Sequence, residues 1–187
     1  MKAHRDASGD AVFRADLVAI IPSLRAFARG LAGNRDLADD LAQETLIRAW
    51  AARGSFTAGT NFKAWIFRIL RNHFYTTIKV SRRFSSLDPQ VAEQMLTTPP
   101  NQGGGLLMAD LARGLATLSS EQREALLLVE SGMPWDEIAD VTGVPLGTVK
   151  SRITRGRTAL RRYMDGPEGA APAGLSTGSV ARNGDVA

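Results

Sequence analysis

The chain has 187 residues, 44% of them hydrophobic and 22% charged, with a formal net charge of +4 and no cysteine. These proportions are ordinary for a water-soluble globular protein, and the lack of cysteine excludes disulfides, thiolate metal sites and a cysteine nucleophile. The opening MKAHRDASGDAVFRADL has no signal-peptide core, and no apolar run approaches the roughly 20 residues that span a bilayer. The sequence therefore reads as cytoplasmic, and its positive excess suits an anionic partner.

From Phe13 to Leu31, the residues Phe13, Leu17, Ile20, Ile21, Leu24, Phe27, Ala28 and Leu31 recur at three-and-four spacing. That period predicts a helix with one buried stripe. Pro22 removes a backbone donor and is expected to kink or divide the helix; Gly33-Asn34 ends it. A second helix is predicted from about Asp36 to Ala51, with Leu37, Leu41, Thr45 and Leu46 inward and Asp39, Asp40, Gln43 and Glu44 largely outward. RGSFTAGTN reads as a loop, after which Asn61 can cap a third helix. That helix continues to about Val80, with Phe62, Trp65, Ile66, Ile69 and Leu70 as its buried side.

The stretch SRRFSSLDPQVAEQMLTTPPNQGGG has no sustained period, and its Pro and Gly clusters mark a flexible connection. Helical spacing resumes at Leu107, Leu111, Leu115 and Leu118. Ser119 followed by Gln122 fits a capping box, opening a helix through EQREALLLVES that Gly132 ends. Two more helices are expected, about Trp135–Thr142 and Leu146–Met164, before a tail with the composition of disorder. The fold class is all-α, with two small helical domains joined by a flexible linker. The expected bounds are 10–83 for the first domain, 84–105 for the linker, 106–164 for the second domain and 165–187 for the tail. Domains of about 60 to 75 residues bury only roughly 60% of their unfolded surface, which suits docking better than a deep catalytic pocket.

Trp135 to Ile153 has the anatomy of a helix-turn-helix. Ala139 permits a close crossing, Gly143 suits a left-handed turn, and Val144, Val149, Ile153, Gly156 and Leu160 account for the inward face. Thr148, Lys150, Ser151, Arg152, Thr154 and Arg155 are left pointing outward. From Val144 to Met164 there is no Asp or Glu, while Lys150, Arg152, Arg155, Arg157, Arg161 and Arg162 are all cationic. Such side chains suit the DNA major groove and its phosphates, and arginine can donate two parallel bonds to guanine. A solvated basic face would carry similar charge, but it would not require the turn, the spacing and the segregation of cations to coincide.

With these residues in view, the sequence resembles a bacterial sigma factor of the extracytoplasmic-function group. DLADDLAQETLIRAW and NFKAWIFRILRNHFYTTIKVSRR resemble consecutive segments of sigma region two. LSSEQREALLLVESGMPWDEIADVTGVPLGTVKSRITRGRTALRRYM resembles sigma region four, the reader of the minus-thirty-five element. The resemblance covers most of Leu17 to Met164, and within the group it is closest to the alphaproteobacterial general-stress-response (EcfG-type) factors. Pro134 departs from the pattern, standing where the family often has a capping Ser or Thr.

The resemblance implies a specificity subunit that binds core RNA polymerase and promoter DNA, is controlled by an anti-sigma factor, and needs no cofactor, metal, membrane or small-molecule substrate. It implies polymerase contact at Asp39, Asp40, Gln43 and Glu44. It places minus-ten reading on Asn72 and Thr76; the nearby Arg68, Arg71, Lys79, Arg82 and Arg83 suit either phosphate neutralisation or simply a soluble helix face. Minus-thirty-five reading falls on Lys150, Ser151, Thr154 and Arg155, with Thr148 on the same outward face and Arg152, Arg157 and Arg161 suited to hold the DNA backbone. The loop Gly54 to Asn61 occupies the place where the family captures a flipped base.

Taken by themselves, the acids at Asp36, Asp39, Asp40 and Glu44 fit a solvated face near a helix N-terminus better than a docking patch. Phe62 and Trp65 fit the core better than base stacking, and Phe74 is the remaining aromatic that could stack. His73 beside Asn72 reads as structural. No metal-ligand spacing, phosphate-cradling glycine motif or nucleophile–base pair accompanies them, so no catalytic residue is expected. The rival readings are a stand-alone helix-turn-helix regulator and a sigma-like protein that sequesters an anti-sigma factor.

Overall fold

This computed structural model describes residues 7–84 and 106–166. The expected linker 84–105 and tail 165–187 lie outside those residues apart from their first positions. The N-terminal half comprises α1 (Ala7–Ala32), α2 (Arg35–Ala51), a 3₁₀ turn at Arg53–Ser55 and α3 (Phe62–Phe84). The C-terminal half comprises α4 (Leu106–Ala116), α5 (Ser120–Glu130), α6 (Trp135–Thr142) and α7 (Leu146–Asp165). The described residues hold no strand.

The stripe predicted for α1 is largely the buried one: Phe13, Leu17, Leu24, Phe27, Ala28 and Leu31 lie in the core. Pro22 does not divide the helix, which runs through it unbroken. The proline is exposed, so the donor it lacks and the carbonyl it leaves unpaired fall on the wet face, where water can serve. After Gly33 (φ 68°), the Asn34 side chain accepts the Leu37 N–H at 3.0 Å and starts α2. The buried face of α2 is Ala38, Leu41, Ala42, Thr45 and Ala49. Its small side chains let α1 and α2 lie close together.

Asn61 caps α3 as expected, its Oδ1 accepting the Ala64 N–H at 3.1 Å. The core face of α3 is rotated from the expected one. Ile66, Phe67, Leu70, Phe74 and Ile78 are buried, while Phe62, Trp65 and Ile69 are half-buried. Phe67 stacks on Phe27 at 4.7 Å. Phe74 is core, so it is not placed to stack on a base. Phe13 gathers Trp50, Phe56, Phe62 and Trp65 around it, with ring centroids 5.4 to 6.2 Å away. That cluster pins the loop between α2 and α3 through Phe56 and leaves Thr57 to Thr60 exposed.

The capping box that opens α5 is present in both directions: Ser119 Oγ accepts from Gln122 N–H, and Gln122 Oε1 accepts from Ser119 N–H. Gly132 (φ 80°) follows the end of the helix. Pro134 stands at the start of α6 with no side-chain cap, and the helix forms without one. Gly143 ends α6 in the left-handed conformation (φ 70°). Val149, Ile153 and Gly156 of α7 then turn back into the angle between helices.

The two halves pack on each other, α1 against α5 and α3 against α6. Their buried side chains form one continuous apolar core. No helix among the described residues is long and apolar enough to cross a membrane.

Candidate nucleic-acid and polymerase interfaces

The turn at Gly143 sets α7 across α6 and presents the acid-free face outward. Lys150, Thr154 and Arg155 are exposed, while Thr148, Ser151 and Arg152 are half-buried. The Arg155 guanidinium donates to the Ser151 carbonyl at 3.3 Å and to its Oγ at 2.9 Å. Ser151 Oγ in turn donates to the Thr148 carbonyl at 3.0 Å. Lys150 lies 6.0 Å from the centroid of the exposed Trp135 ring. The residues predicted for groove reading therefore share one surface, with Arg155 and Ser151 already oriented by each other.

On α3, Asn72 and Thr76 are exposed one turn apart. The Thr76 hydroxyl donates back to the Asn72 carbonyl at 2.7 Å, which leaves the Asn72 amide as the stronger candidate for a base edge. Arg68 and Arg71 point elsewhere. Arg68 donates to the Asp140 carbonyl of α6 at 2.9 Å, and Arg71 Nε lies 2.8 Å from Glu124 Oε1 of α5. The predicted minus-ten set is thus split between an open face and the seam with the other half.

Asp40, Gln43 and Glu44 line a shallow concavity with Ile47 and His73. Asp39 is set apart, loosely facing Arg29 at 3.8 Å and Arg35 at 3.9 Å. Glu44 accepts from Arg48 at 2.7 Å. Ile47 is 63% exposed, an apolar centre within a charged edge. His73 is held below its ordinary pKa, first by burial and then by the Arg48 charge, with Glu44 opposing. Its imidazole is therefore mainly neutral at pH 7. No cluster of His, Cys, Asp or Glu among the described residues could hold a metal ion.

Two family descriptions match the chain: Sigma-70 region 2 over residues 18–84 and Sigma-70, region 4 over residues 108–160. Over 175 residues the sequence is 42% identical to the ECF RNA polymerase sigma factor EcfG of Rhodopseudomonas palustris (strain TIE-1), covering 91% of this chain and 96% of that one. The chain belongs to the extracytoplasmic-function sigma factors.

The fold agrees with that membership. The sigma factor RpoE of Bartonella quintana, solved in complex with the anti-sigma factor NepR, is similar with a TM-score of 0.69 and 37% identity, over 81% of this chain and 96% of that one. CnrH, solved with the cytosolic domain of CnrY, gives a TM-score of 0.60 at 28% identity, over 83% of this chain and 89% of that one. Region 2 thus corresponds to most of α1 through α3 and region 4 to most of α4 through α7. Sigma factors are not a class of enzymes.

Sequence reading missed the residues that face across the seam of this sigma factor. Glu124 and Arg123 are buried on α5, and Tyr75 donates to Glu124 Oε2 at 3.2 Å. One signal was available: Arg123 and Glu124 lie beside Ala125, Leu126 and Leu128 on the buried side of α5. Buried charges of that kind ask for partners.

Proposed function

We propose that this sigma factor docks on core RNA polymerase through the α2 edge, captures the separated minus-ten strand with α3, and reads the minus-thirty-five duplex with α7. Residues 10–83 form the unit that docks and reads the strand, and residues 106–164 form the unit that reads the duplex. The single observation that carries the reading is the conjunction, in one sigma chain, of an acidic concavity around an exposed Ile47 with an acid-free recognition helix. Asp40, Gln43 and Glu44 supply charge complementary to a basic polymerase surface, and Asp39 borders it. Asn72 and Thr76 meet extruded bases, while Arg68 and Arg71 reach phosphates only on leaving Asp140 and Glu124. Lys150, Ser151, Thr154 and Arg155 meet base edges, while Thr148 and Arg152 hold the backbone.

The protein has no chemistry of its own in this scheme; promoter opening draws on binding energy, and RNA synthesis belongs to the polymerase. It works in the cytoplasm. A general stress response is the setting that its similarity to EcfG supports, and the NepR complex of its Bartonella relative supports control by an anti-sigma factor. The test is titration of fluorescent full-length protein into core polymerase. Saturable binding is expected, weakened at least tenfold by Asp40→Lys with Glu44→Lys, a loss of about 1.4 kcal/mol. Absence of binding would overturn the reading.

A further inference from the structure

Helices α2 and α3 pack side by side, and one side chain of α3 reaches the edge that α2 presents. His73 lines the concavity together with Asp40, Gln43, Glu44 and Ile47. Its neighbour Asn72 is exposed and Phe74 is buried. Successive helical residues point about 100° apart. Three consecutive positions of α3 therefore meet solvent, the α2 edge and the core in turn. The Thr77 hydroxyl donates to the His73 carbonyl at 3.0 Å, but neither ring nitrogen has a hydrogen-bond partner among the described residues. The half-buried ring can thus donate and accept toward a partner while it stays neutral.

The charges of the edge are arranged so that this imidazole decides their balance. Glu44 and Arg48 pair at 2.7 Å one turn apart on α2, so each offsets the other. Asp40 is exposed and has no ion-pair partner among the described residues. Gln43 is neutral and Ile47 apolar. With His73 uncharged, the concavity keeps the negative excess of Asp40; an imidazolium cancels it. The charges acting on the ring are those of Arg48 and Glu44. No charge of α1 or α6, the other helices packed on α3, acts on it.

We propose that His73 is a contact of the polymerase-docking surface, contributed by α3, and that docking is tightest while its ring is uncharged. The inference deepens the proposed function and rests on the α2 edge being the surface that docks. A basic partner is attracted by the residual charge of Asp40 when the ring is neutral, and meets a like charge among the lining residues when it is protonated. Docking and protonation then oppose each other. By linkage, a docked partner keeps the ring neutral to lower pH, and the free protein docks less tightly as pH falls.

Titration of fluorescent full-length protein into core polymerase at about pH 7.5 and about pH 5.5, either side of the ordinary histidine value, reads this out. Between the two, the parent should lose about threefold more affinity than His73→Gln, which is uncharged at both. His73→Lys, charged at both, should bind about fivefold more weakly than His73→Gln at the higher pH. Circular dichroism melts separate loss of fold from gain of charge; should the lysine variant lose helix, the glutamine comparison decides alone. Equal losses in the parent and His73→Gln, or equal affinities of folded His73→Lys and His73→Gln, would overturn the proposal and leave the docking reading standing. Absence of binding by the parent at the higher pH would overturn both.

Discussion

Arg155 is held in the free protein by Ser151, an exposed contact that water screens and that a guanine edge can replace. Exchange of Arg155 for Ala should lower discrimination at one minus-thirty-five base pair by about 1–3 kcal/mol. Fluorescence anisotropy across duplex variants reads this out; an equal loss on every sequence would make Arg155 a phosphate contact instead. Glu124 supplies a prediction in pH. Burial raises its pKa above the ordinary value, with the charges of Arg71 and Arg152 and the Tyr75 hydrogen bond opposing. Tyr75 is itself pushed up by burial and by the Glu124 charge, with a smaller share from Glu121. A raised carboxyl favours the folded protein fully below its unfolded pKa of about 4.3. That contribution is lost as pH rises through the folded value. Glu124→Gln keeps the shape without the charge, so its Tm relative to the parent should climb between about pH 4 and neutrality. Parallel melting curves would contradict the assignment.

At the scale of the element, Gly143 is held at φ 70° with nothing within 4 Å of where a Cβ would stand. Replacement by Ala therefore tests backbone conformation alone and should cost about 1–2 kcal/mol in urea unfolding. Asn, which tolerates the left-handed region better, should cost less; equal losses would point to some other cause. Gly143 and the Ser119–Gln122 box were legible in the sequence because each depends on residues within a few positions. The core face of α3 was less legible, since the aromatic cluster around Phe13 draws Phe62 and Trp65 toward the loop while Phe67 and Phe74 fill the helix contact. Pro22 misled for a related reason: its effect depends on which face meets water, and a single sequence does not state that.

For the whole molecule, helical stripes identified the elements but not the joining of the two halves through one core. Gly30 reads as an ordinary helix glycine until Leu127 is seen against it, and Arg71 reads as a solvent-facing cation until Glu124 arrives from the other half. The α2 edge and the α7 face were legible because charge segregation survives in the order of residues. His73 and Ile47 joined the edge only through the fold. The most direct measurement is reconstituted transcription on a promoter library with core polymerase, with and without this chain. Defined start sites preceded by two shared upstream elements are predicted only when both are present. The opposite result, unchanged start sites together with selective binding of a duplex site by the chain alone, would contradict it.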